Sequence, residues 1–534
     1  MKLVAFGFFA AIATRKNHWR LAGNLSNYSS FLILIQALAL IANPIRAEEI
    51  EPTWSQFRGP NGSGYGERFI PPLKINGHQP TWKMVVPAGK SSPVIWGNRI
   101  FLTGVEKNRL VTLCLDTQSG QPVWKSEISD IKLESVHPAN SVAASTPCAD
   151  KERVYSYFGS WGLVCHDHFG KELWKMPIPT PRTMYGVATS PILHEDRLFL
   201  LLDDDGDLPG SKLSRSKLIA LDKATGKTLW ETGRPYNRGA WSTPMIWKHA
   251  KGTDLVALGD GRVCGYDPVN GEERWHMVGF AREPIAVPIE GDGKLFVSVS
   301  MQGGRGDSQL DPEPFWKALL EFDTNLDGQI GREEISTHFT IPLRPELRPG
   351  HPGFGIPLPS EAHQRKERQD GMFSRMDRDK NGFITKQEYT TDMAVGRGRP
   401  TLAAILPGGA GNISESHVSW KLHSGIPEIP SPIHREGRLY MVRDGGILTC
   451  VKTSTGEVVY RERLGSPGQY TASPVSAGGH LFLVSMQGIL TVVKCGDSFE
   501  ITSKAELGSP IEATPAMDRN SLYVRTKDTV LAFR

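Results

Sequence analysis

The sequence repeats one strand-rich unit along most of its 534 residues, and this repetition restricts the possible folds more than any other feature. Each unit opens with a Ser-, Thr- or Val-Pro step, continues with apolar residues and reaches a turn of the type Asp-x-x-x-Gly. The regular copies then end on a tryptophan. Four regular copies occupy residues 91–124, 145–174, 189–230 and 242–275, and four looser copies begin near residues 286, 430, 472 and 513.

Each part of the unit has a physical role in a β-sheet. A proline is tolerated at the first residue of a strand, where no donor to the ladder is needed. In the third copy Asp222 can accept hydrogen bonds from the turn amides, and Gly226 allows a positive φ, so the two close a hairpin. The aromatic residue at the end, Trp230 in this copy, offers a large flat surface for packing against the next unit.

A period of roughly 40–54 residues with about four short strands per unit is typical of a β-propeller. The content of 55 glycines and 38 prolines suits such a turn-rich, all-β protein. Eight copies predict eight blades, and seven blades are the alternative because the seventh copy is degenerate. The eighth copy stops before its outer strand, so we expect residues 81–86 (TWKMVV) to complete the last blade and close the ring.

The repeats containing D-x-x-T-G-x-x-x-W resemble the tryptophan-docking units of propellers related to pyrroloquinoline quinone (PQQ) enzymes. That family includes quinoprotein alcohol dehydrogenases and the propeller lipoprotein of the outer-membrane assembly machinery. Residues 54–64 (WSQFRGPNGSG) and 137–147 (HPANSVAASTP) resemble an exported bacterial branch. The resemblance covers residues 54–300 and 400–534 and implies either a binding scaffold or a PQQ-dependent dehydrogenase. The adjacent cysteine pair common beside the quinone does not occur in the sequence, and PQQ is possible but unsupported by motifs.

The fifth copy is interrupted, and the interruption contains two acidic twelve-residue segments, residues 323–334 (DTNLDGQIGREE) and 377–388 (DRDKNGFITKQE). Each has oxygen-bearing residues at positions 1, 3, 5 and 12, a glycine at position 6 and isoleucine at position 8, which is the EF-hand pattern. Calcium requires six to eight oxygen ligands, which such a loop supplies through side chains and one backbone carbonyl. The predicted ligands are Asp323, Asn325, Asp327, Gln329 and Glu334 in the first loop, and Asp377, Asp379, Asn381, Phe383 and Glu388 in the second.

The two matches in tandem favour a small α-helical EF-hand pair over a metal-free pair of turns. We expect the insertion to span residues 302–400 and to divide the propeller into segments 48–301 and 401–534. A Pro-rich link, residues 341–359, separates the two loops. Since extracellular calcium near millimolar concentration saturates even weak sites of this type, the loops are predicted to be structural clamps rather than signalling switches.

Residues 1–47 are predicted to be a cleaved export signal, because basic residues precede the short apolar run 31–42 and a small-residue exit. The run is too short for a membrane span, so we expect a periplasmic or extracellular protein without a transmembrane span in the mature chain. The cysteines lack metal-binding spacing and are expected to be small buried hydrophobic residues, although an exported protein allows pairing. Cys114 and Cys165, in adjacent blades, are expected to remain unpaired because packed sheets lie about 10 Å apart. A net charge of +4 without a basic block argues against nucleic acid as a partner.

The leading functional hypothesis is an exported calcium-binding scaffold that binds a protein partner or envelope component through the propeller face or loops. The alternatives are a PQQ-dependent dehydrogenase that uses the central pocket and a structural component of the envelope. No nucleophile elbow, phosphate-binding loop or paired-carboxylate motif indicates a catalytic residue. The sequence leaves open the partner, the calcium affinity and the oligomeric state.

Overall fold

A computed structural model describes residues 53–211, 213–300, 312–342, 345, 348–350, 354–390 and 400–534. The predicted export signal, residues 1–47, lies outside these residues. So do residues 301–311, which contain the expected start of the insertion at residue 302, and residues 391–399, which precede its expected end at residue 400.

Eight β-sheets, each with four blade strands, form a propeller. The eight-bladed prediction is therefore confirmed, and the seven-bladed alternative is wrong. Within each blade the neighbouring strands are antiparallel, as short hairpin turns require. Blades 1 to 4 comprise these strands: Val94–Trp96, Arg99–Glu106, Arg109–Asp116 and Pro122–Ile128; Cys148–Ala149, Arg153–Phe158, Gly162–Asp167 and Glu172–Pro177; Ile192–His194, Arg197–Leu202, Lys217–Asp222 and Thr228–Gly233; Met245–His249, Gly252–Gly259, Arg262–Tyr266 and Glu273–Val278.

The second half of the ring follows the same plan with one interruption. Blade 5 is divided between its second and third strands by the insertion. Blades 5 to 8 comprise these strands: Ile289–Gly291, Lys294–Val299, Thr401–Ile405 and Val418–Leu422; Ile433–Arg435, Arg438–Arg443, Ile447–Lys452 and Val458–Arg463; Val475–Ala477, His480–Val484, Ile489–Lys494 and Ile501–Glu506; Ala516–Met517, Leu522–Arg525, Thr529–Phe533 and Trp82–Val85.

The ring is closed by a strand from the start of the propeller. Trp82–Val85 pairs antiparallel with Thr529–Phe533 and becomes the outer strand of blade 8. Arg525 reinforces this closure, since its buried guanidinium donates to the carbonyl oxygens of Pro87, Ser91 and Thr103 at 2.8 to 3.0 Å. The first and last segments of the propeller are therefore joined by both ladder and side-chain hydrogen bonds.

Tryptophans at the blade ends dock onto the turns of the following blades. The indole Nε1 of Trp174 donates to the carbonyl oxygen of Lys223 at 3.1 Å, and its ring covers Gly226, where an added Cβ would lie 2.7 Å from the ring. The same indole-to-glycine contact occurs for Trp82, Trp124, Trp230 and Trp420 with Gly120, Gly170, Gly271 and Gly456. The repeated tryptophan and glycine of the sequence are thus two halves of one contact between blades.

Blade 4 departs from this arrangement because blade 5 has no matching turn. Trp275 is buried within its own blade and donates its Nε1 to Asp254 at 2.8 Å. A short strand, Gly411–Asn412, which precedes the outer strand of blade 5, pairs in parallel with Trp275 and His276 instead. The outer edge of blade 4 is therefore covered by an additional strand.

The segment 54–66 crosses the ring and contacts blades on opposite sides. It contains a 3₁₀ turn, Pro60–Gly62, and a strand, Tyr65–Gly66, which pairs in parallel with Val475–Ala477 of blade 7. Its other hydrogen bonds reach four more blades. They join Trp54 to Ile95 of blade 1, Ser55 to Ala149 of blade 2, Asn61 to Ile246 of blade 4 and Arg58 to Pro432 at the start of blade 6. This segment closes the central opening on one side, with Phe57 facing the cavity.

The inserted unit is a small helical body with its own apolar core. Its helices are α1 (Pro312–Leu319) and α2 (Ala362–Met376), with 3₁₀ turns at Leu320–Phe322 and Arg332–Glu334 and helical residues again from 386 to 390. Its short strands are Ile330–Gly331, which pairs with Phe383–Ile384, and Thr340–Pro342, which pairs with Gly355–Pro357. Phe315, Trp316, Phe373 and Ile384 lie in the core.

Candidate functional site

The predicted ligands of the insertion lie in two loops held side by side. Loop 1 (residues 323–334) follows α1, and loop 2 (residues 377–388) follows α2. The two loops are joined where Ile330 pairs with Ile384, the isoleucine at position 8 of each loop. Each loop thus folds with its partner rather than as an isolated turn.

The first and last residues of loop 1 organise its backbone. Asp323 accepts the amide N–H groups of Leu326 at 2.7 Å and Gly328 at 2.8 Å. Glu334 returns to the start of the loop, where its Oε1 accepts the N–H of Thr324 at 2.7 Å. A positive φ of 78° at Gly328, with open space around it, permits the sharp turn between them.

Loop 2 repeats this arrangement at the same positions. Asp377 accepts the N–H of Gly382 at 3.0 Å, and Glu388 accepts the N–H of Arg378 at 2.8 Å. Carboxylate oxygens of Asp377, Asp379 and Glu388 lie within 4.8 Å of one another. Since like charges this close repel in the absence of a cation, the group has the composition of a cation-binding site.

The other predicted ligands lie within these loops. The amide nitrogens of Asn325 and Asn381 donate to the carboxylates of Asp327 at 3.0 Å and Asp379 at 2.9 Å. The backbone N–H groups at position 7, on Gln329 and Phe383, each bond the side chain two residues earlier at 2.9 Å. In both loops the side chains at positions 3 and 5 are therefore bonded to each other.

The closing glutamates are largely removed from solvent, at 4% exposure for Glu334 and 9% for Glu388. Burial by itself raises the pKa of Glu388, but the N–H and hydroxyl of Thr385 and the N–H groups of Arg378 and Asp379 outweigh it. The pKa of Glu388 is therefore below its ordinary value, and the carboxylate is kept ionised.

The link between the loops covers the apolar interior of the insertion. Phe339, Phe354 and Leu358 are each at most 6% exposed, and Phe339 and Leu358 belong to the same apolar cluster as the helices. The ring of Phe322, which ends the first helical segment, lies 4.9 Å from that of Phe339 and 6.4 Å from that of Phe354. Residues between the two loops thus pack against the apolar core of the helical segments.

A second candidate site is the central cavity of the propeller, with a volume of about 180 Å³. Its wall includes the hydroxyl residue before the Pro of seven blades, namely Ser92, Thr146, Ser190, Thr243, Ser431, Ser473 and Thr514. In most of the ring a backbone N–H of one blade donates to the hydroxyl of the next, as from Thr146 to Ser190 at 3.0 Å. Blade 5 has Val287 at this position and interrupts the ring.

Aromatic and charged residues also line the cavity. Trp241 and Tyr185 stand edge to face with ring centroids 5.1 Å apart. Lys90 Nζ lies 2.6 Å from Glu512 Oε1, and Glu283 also lines the cavity. The sequence interpretation did not identify these residues, although the regular Ser/Thr-Pro steps marked the inner end of each blade.

The cavity residues do not fit PQQ, which is a polycarboxylate. Among the lining residues within the described ranges, Lys90 is the single basic side chain, and Glu512 neutralises it. The paired Lys90 therefore leaves an anionic quinone without a cationic partner among these residues.

Two further groups of polar residues have structural partners. His166 bonds Ser126 and His168 bonds the carbonyl oxygen of Asp150, so the two histidines do not form a common site. The acidic run 203–207 is divided among separate contacts, with Asp203 buried against Arg234 at 3.0 Å. Five of the six cysteines are buried, as expected, and all six, including Cys114 and Cys165, are free thiols.

The fold and these two sites define an eight-bladed β-propeller with a closed ring, a central cavity and an inserted pair of acidic loops. A family profile described as outer membrane protein assembly factor BamB matches residues 111–305 and 411–498, just over half of the chain. The chain therefore belongs to this family of PQQ-like repeat propellers.

Individual relatives are distant. A polyvinylalcohol dehydrogenase from a Pseudomonas species is 24% identical over 173 residues, which are 30% of this chain and only 25% of that protein. The solved quinohemoprotein alcohol dehydrogenase from Comamonas testosteroni is 13% identical and covers 90% of this chain and 80% of its own, with a TM-score of 0.51. BamB from Moraxella catarrhalis is 10% identical with a TM-score of 0.48, covering 85% and 99%. The Comamonas similarity supports the fold alone.

No helix among the described residues has the length and apolar character needed to cross a membrane.

Proposed function

We propose that the chain is an exported β-propeller scaffold that binds two calcium ions in loops 1 and 2 and a protein partner of the cell envelope. The observation that carries the calcium proposal is the convergence of the oxygens of Asp377, Asp379 and Glu388 within 4.8 Å. The hydrogen bonds of Asp323 and Glu334 give loop 1 the corresponding backbone path.

Calcium suits the two loops better than a softer metal ion. The predicted side-chain ligands are carboxylates and amides, and the loops contain neither cysteine nor histidine. Calcium prefers a flexible shell of six to eight oxygens, whereas magnesium requires a tighter octahedron and retains water. Glu334 and Glu388 are placed to supply the bidentate carboxylate at position 12 of each loop.

The proposed role of calcium is to stabilise the insertion. Sensor proteins of the EF-hand type open on binding calcium and expose an apolar groove to a target. Here Phe339 and Leu358 of the same chain lie in the apolar cluster and Phe354 packs near Phe322, so a target helix would have to displace them. This packing favours a permanent clamp over a switch.

Titration calorimetry of the chelator-treated protein tests the calcium proposal. We expect about two calcium ions per chain, and the loss of one site in Glu334→Gln and of the other in Glu388→Gln. Glu333→Gln is the matched control, because Glu333 is exposed beside the cage and is not a predicted ligand. Unchanged binding in both ligand variants, or no binding by the wild-type protein, would contradict the proposal.

The scaffold role rests on family membership, since the family description names an outer-membrane assembly factor. Crosslinking in the envelope fraction should recover a partner protein, and loss of that partner on calcium chelation would link it to the insertion. Recovery of no partner would favour the alternative of a purely structural envelope component.

A PQQ-dependent dehydrogenase is the second candidate function, favoured by the similarity to the Pseudomonas polyvinylalcohol dehydrogenase. The pairing of Lys90 with Glu512 in the central cavity opposes it. Incubation with PQQ and calcium, followed by dye-linked alcohol oxidation, distinguishes the two functions. A quinone absorbance band together with turnover supports the enzyme, whereas the absence of both supports the scaffold.

A further inference from the structure

Two cysteines lie close together between blades 6 and 7. Cys450 is in the third strand of blade 6, and Cys495 follows the third strand of blade 7. The Sγ atom of Cys450 lies 4.0 Å from the carbonyl oxygen of Gly496, the residue after Cys495. The amide N–H of Gly496 donates to the hydroxyl of Tyr440 at 2.8 Å. These contacts hold the turn that contains the second cysteine beside the first cysteine.

The hydroxyl of Tyr440 contacts both thiols. Tyr440 lies directly opposite Cys450 in the sheet of blade 6, so the two side chains share the face that packs against blade 7. The Tyr440 hydroxyl forms side-chain hydrogen bonds with the thiols of Cys450 and Cys495. Because both sulfur atoms lie within hydrogen-bonding reach of one oxygen atom, rotation of the two side chains can bring them onto one metal ion.

A comparison with blade 1 shows what distinguishes this interface. In blade 1, Trp124 lies opposite Cys114 and donates its indole N–H to the carbonyl oxygen of His168 in blade 2 at 3.0 Å. In blade 6 the corresponding pair is Tyr460 opposite Cys450, and tyrosine has no indole N–H to donate. A cysteine inside a blade is thus compatible with simple packing, whereas the second thiol on the facing turn of blade 7 is an additional feature.

One thiol of the pair can be reached from solvent. Cys450 is fully buried, whereas Cys495 is half-buried and gives an ion a route to the pair. Burial raises the pKa of Cys450 to about 12 and the pKa of Cys495 to about 11, so both groups are protonated thiols at neutral pH. A metal ion that binds them must therefore displace both protons into solvent.

The composition of the site selects the metal. Thiolates favour Cu(I), zinc and iron–sulfur clusters. Structural zinc takes a full tetrahedral set of ligands, and iron–sulfur clusters are held by several cysteines. The other groups near the thiols are the hydroxyls of Tyr440 and Ser476, and hydroxyl oxygens are poor ligands for soft ions. Cu(I) is soft and is satisfied by a pair of thiolates in a nearly linear arrangement.

We propose that Cys450 and Cys495 bind one Cu(I) ion between blades 6 and 7. Each thiol releases its proton to solvent as its sulfur atom coordinates the ion, and the oxidation state of copper does not change. The bound ion links the third strand of blade 6 to the turn of blade 7. Neither cysteine belongs to loop 1 or loop 2, so the copper and calcium proposals can fail separately.

Anaerobic titration of the intact, metal-free protein with Cu(I), in competition with a coloured Cu(I) chelator, tests the proposal. We expect about one Cu(I) ion per chain, with the affinity lowered roughly 100-fold or more in Cys450→Ser and in Cys495→Ser. Cys114→Ser is the matched control and should bind as the wild-type protein does, because Cys114 is also buried opposite an aromatic residue. Unchanged affinity in either ligand variant, or no transfer of Cu(I) from the chelator to the wild-type protein, would overturn the proposal.

X-ray absorption at the copper edge provides a second readout that requires no variant. The Cu(I)-loaded wild-type protein should show a pair of sulfur neighbours and no nitrogen ligand. Copper held by histidine nitrogen, or by a single sulfur atom, would contradict the assignment to Cys450 and Cys495.

Discussion

The docking of tryptophan onto a glycine turn predicts a difference between two alanine substitutions at the same backbone angle. Gly226 and Gly293 both have a φ of 71°. An added Cβ at Gly226 would lie 2.7 Å from Cε3 of Trp174, whereas nothing lies within 4 Å of the corresponding position at Gly293. Gly293→Ala therefore measures the backbone strain alone, and Gly226→Ala measures the strain together with the clash.

The magnitudes follow from these two terms. A left-handed φ at alanine costs about 1–2 kcal/mol, so Gly293→Ala should lower the free energy of unfolding by that amount. Displacing the Trp174 ring adds about 1–3 kcal/mol at Gly226, the usual cost of overpacking. Urea unfolding followed by circular dichroism provides both values.

A double-mutant cycle identifies the source of the extra cost. With Trp174→Ala already present, Gly226→Ala should cost no more than Gly293→Ala, because the clashing ring is absent. If Gly226→Ala and Gly293→Ala were equally destabilising in the wild-type background, or if the extra cost persisted without Trp174, the docking argument would be wrong.

Two further predictions concern buried charged groups. Arg525→Met leaves the buried carbonyl oxygens of Pro87, Ser91 and Thr103 without this donor. Urea unfolding should therefore show a free energy of unfolding lower by about 3–5 kcal/mol. A loss under about 1 kcal/mol would show that Arg525 does not close the ring. Burial raises the pKa of Glu134 to about 7 from 4.5. The folded state therefore binds this proton more tightly than the unfolded state. The contribution of protonated Glu134 to the free energy of unfolding is fully present below about pH 4.5 and is lost as the pH rises through about 7. Glu134→Gln should accordingly gain roughly 2 kcal/mol over the wild-type protein at about pH 8, after allowance for partial solvent screening, and equal pH profiles would contradict this.

The propeller could be predicted from the sequence because its signals are local. The Pro step starts a strand, the Asp and Gly close a hairpin, and the Trp marks the end of a unit, all within one copy of the repeat. Counting copies then indicated that the last blade lacked a strand, and Trp82–Val85 occupies that position. Fold class follows from such a pattern because every blade buries its two faces against the neighbouring blades in the same way.

The central cavity could not be predicted because its residues are distant in sequence. Lys90 and Glu512 are 422 positions apart, and they meet because the ring closes between the first and last blades. The contacts of segment 54–66 with five blades depend on the same closure. Nothing in the local sequence around Arg58 indicates that it is buried against Pro432.

The inserted loops lie between these two cases. Their order of acidic, amide and glycine residues is local and was readable, and Ile330 pairs with Ile384 as the pattern required. The packing of Phe339 and Phe354 near Phe322 could not be predicted, because the segment between the loops has no periodicity that indicates what it packs against. That packing supports the clamp role that the sequence already predicts for the loops.

The most direct test of the central claim is a crystal structure of the protein grown with calcium, with anomalous scattering measured at long wavelength. Two anomalous peaks are predicted, one between Asp323 and Glu334 and one among Asp377, Asp379 and Glu388. Empty loops at millimolar calcium, or peaks located only elsewhere on the propeller, would contradict the proposed calcium-binding scaffold.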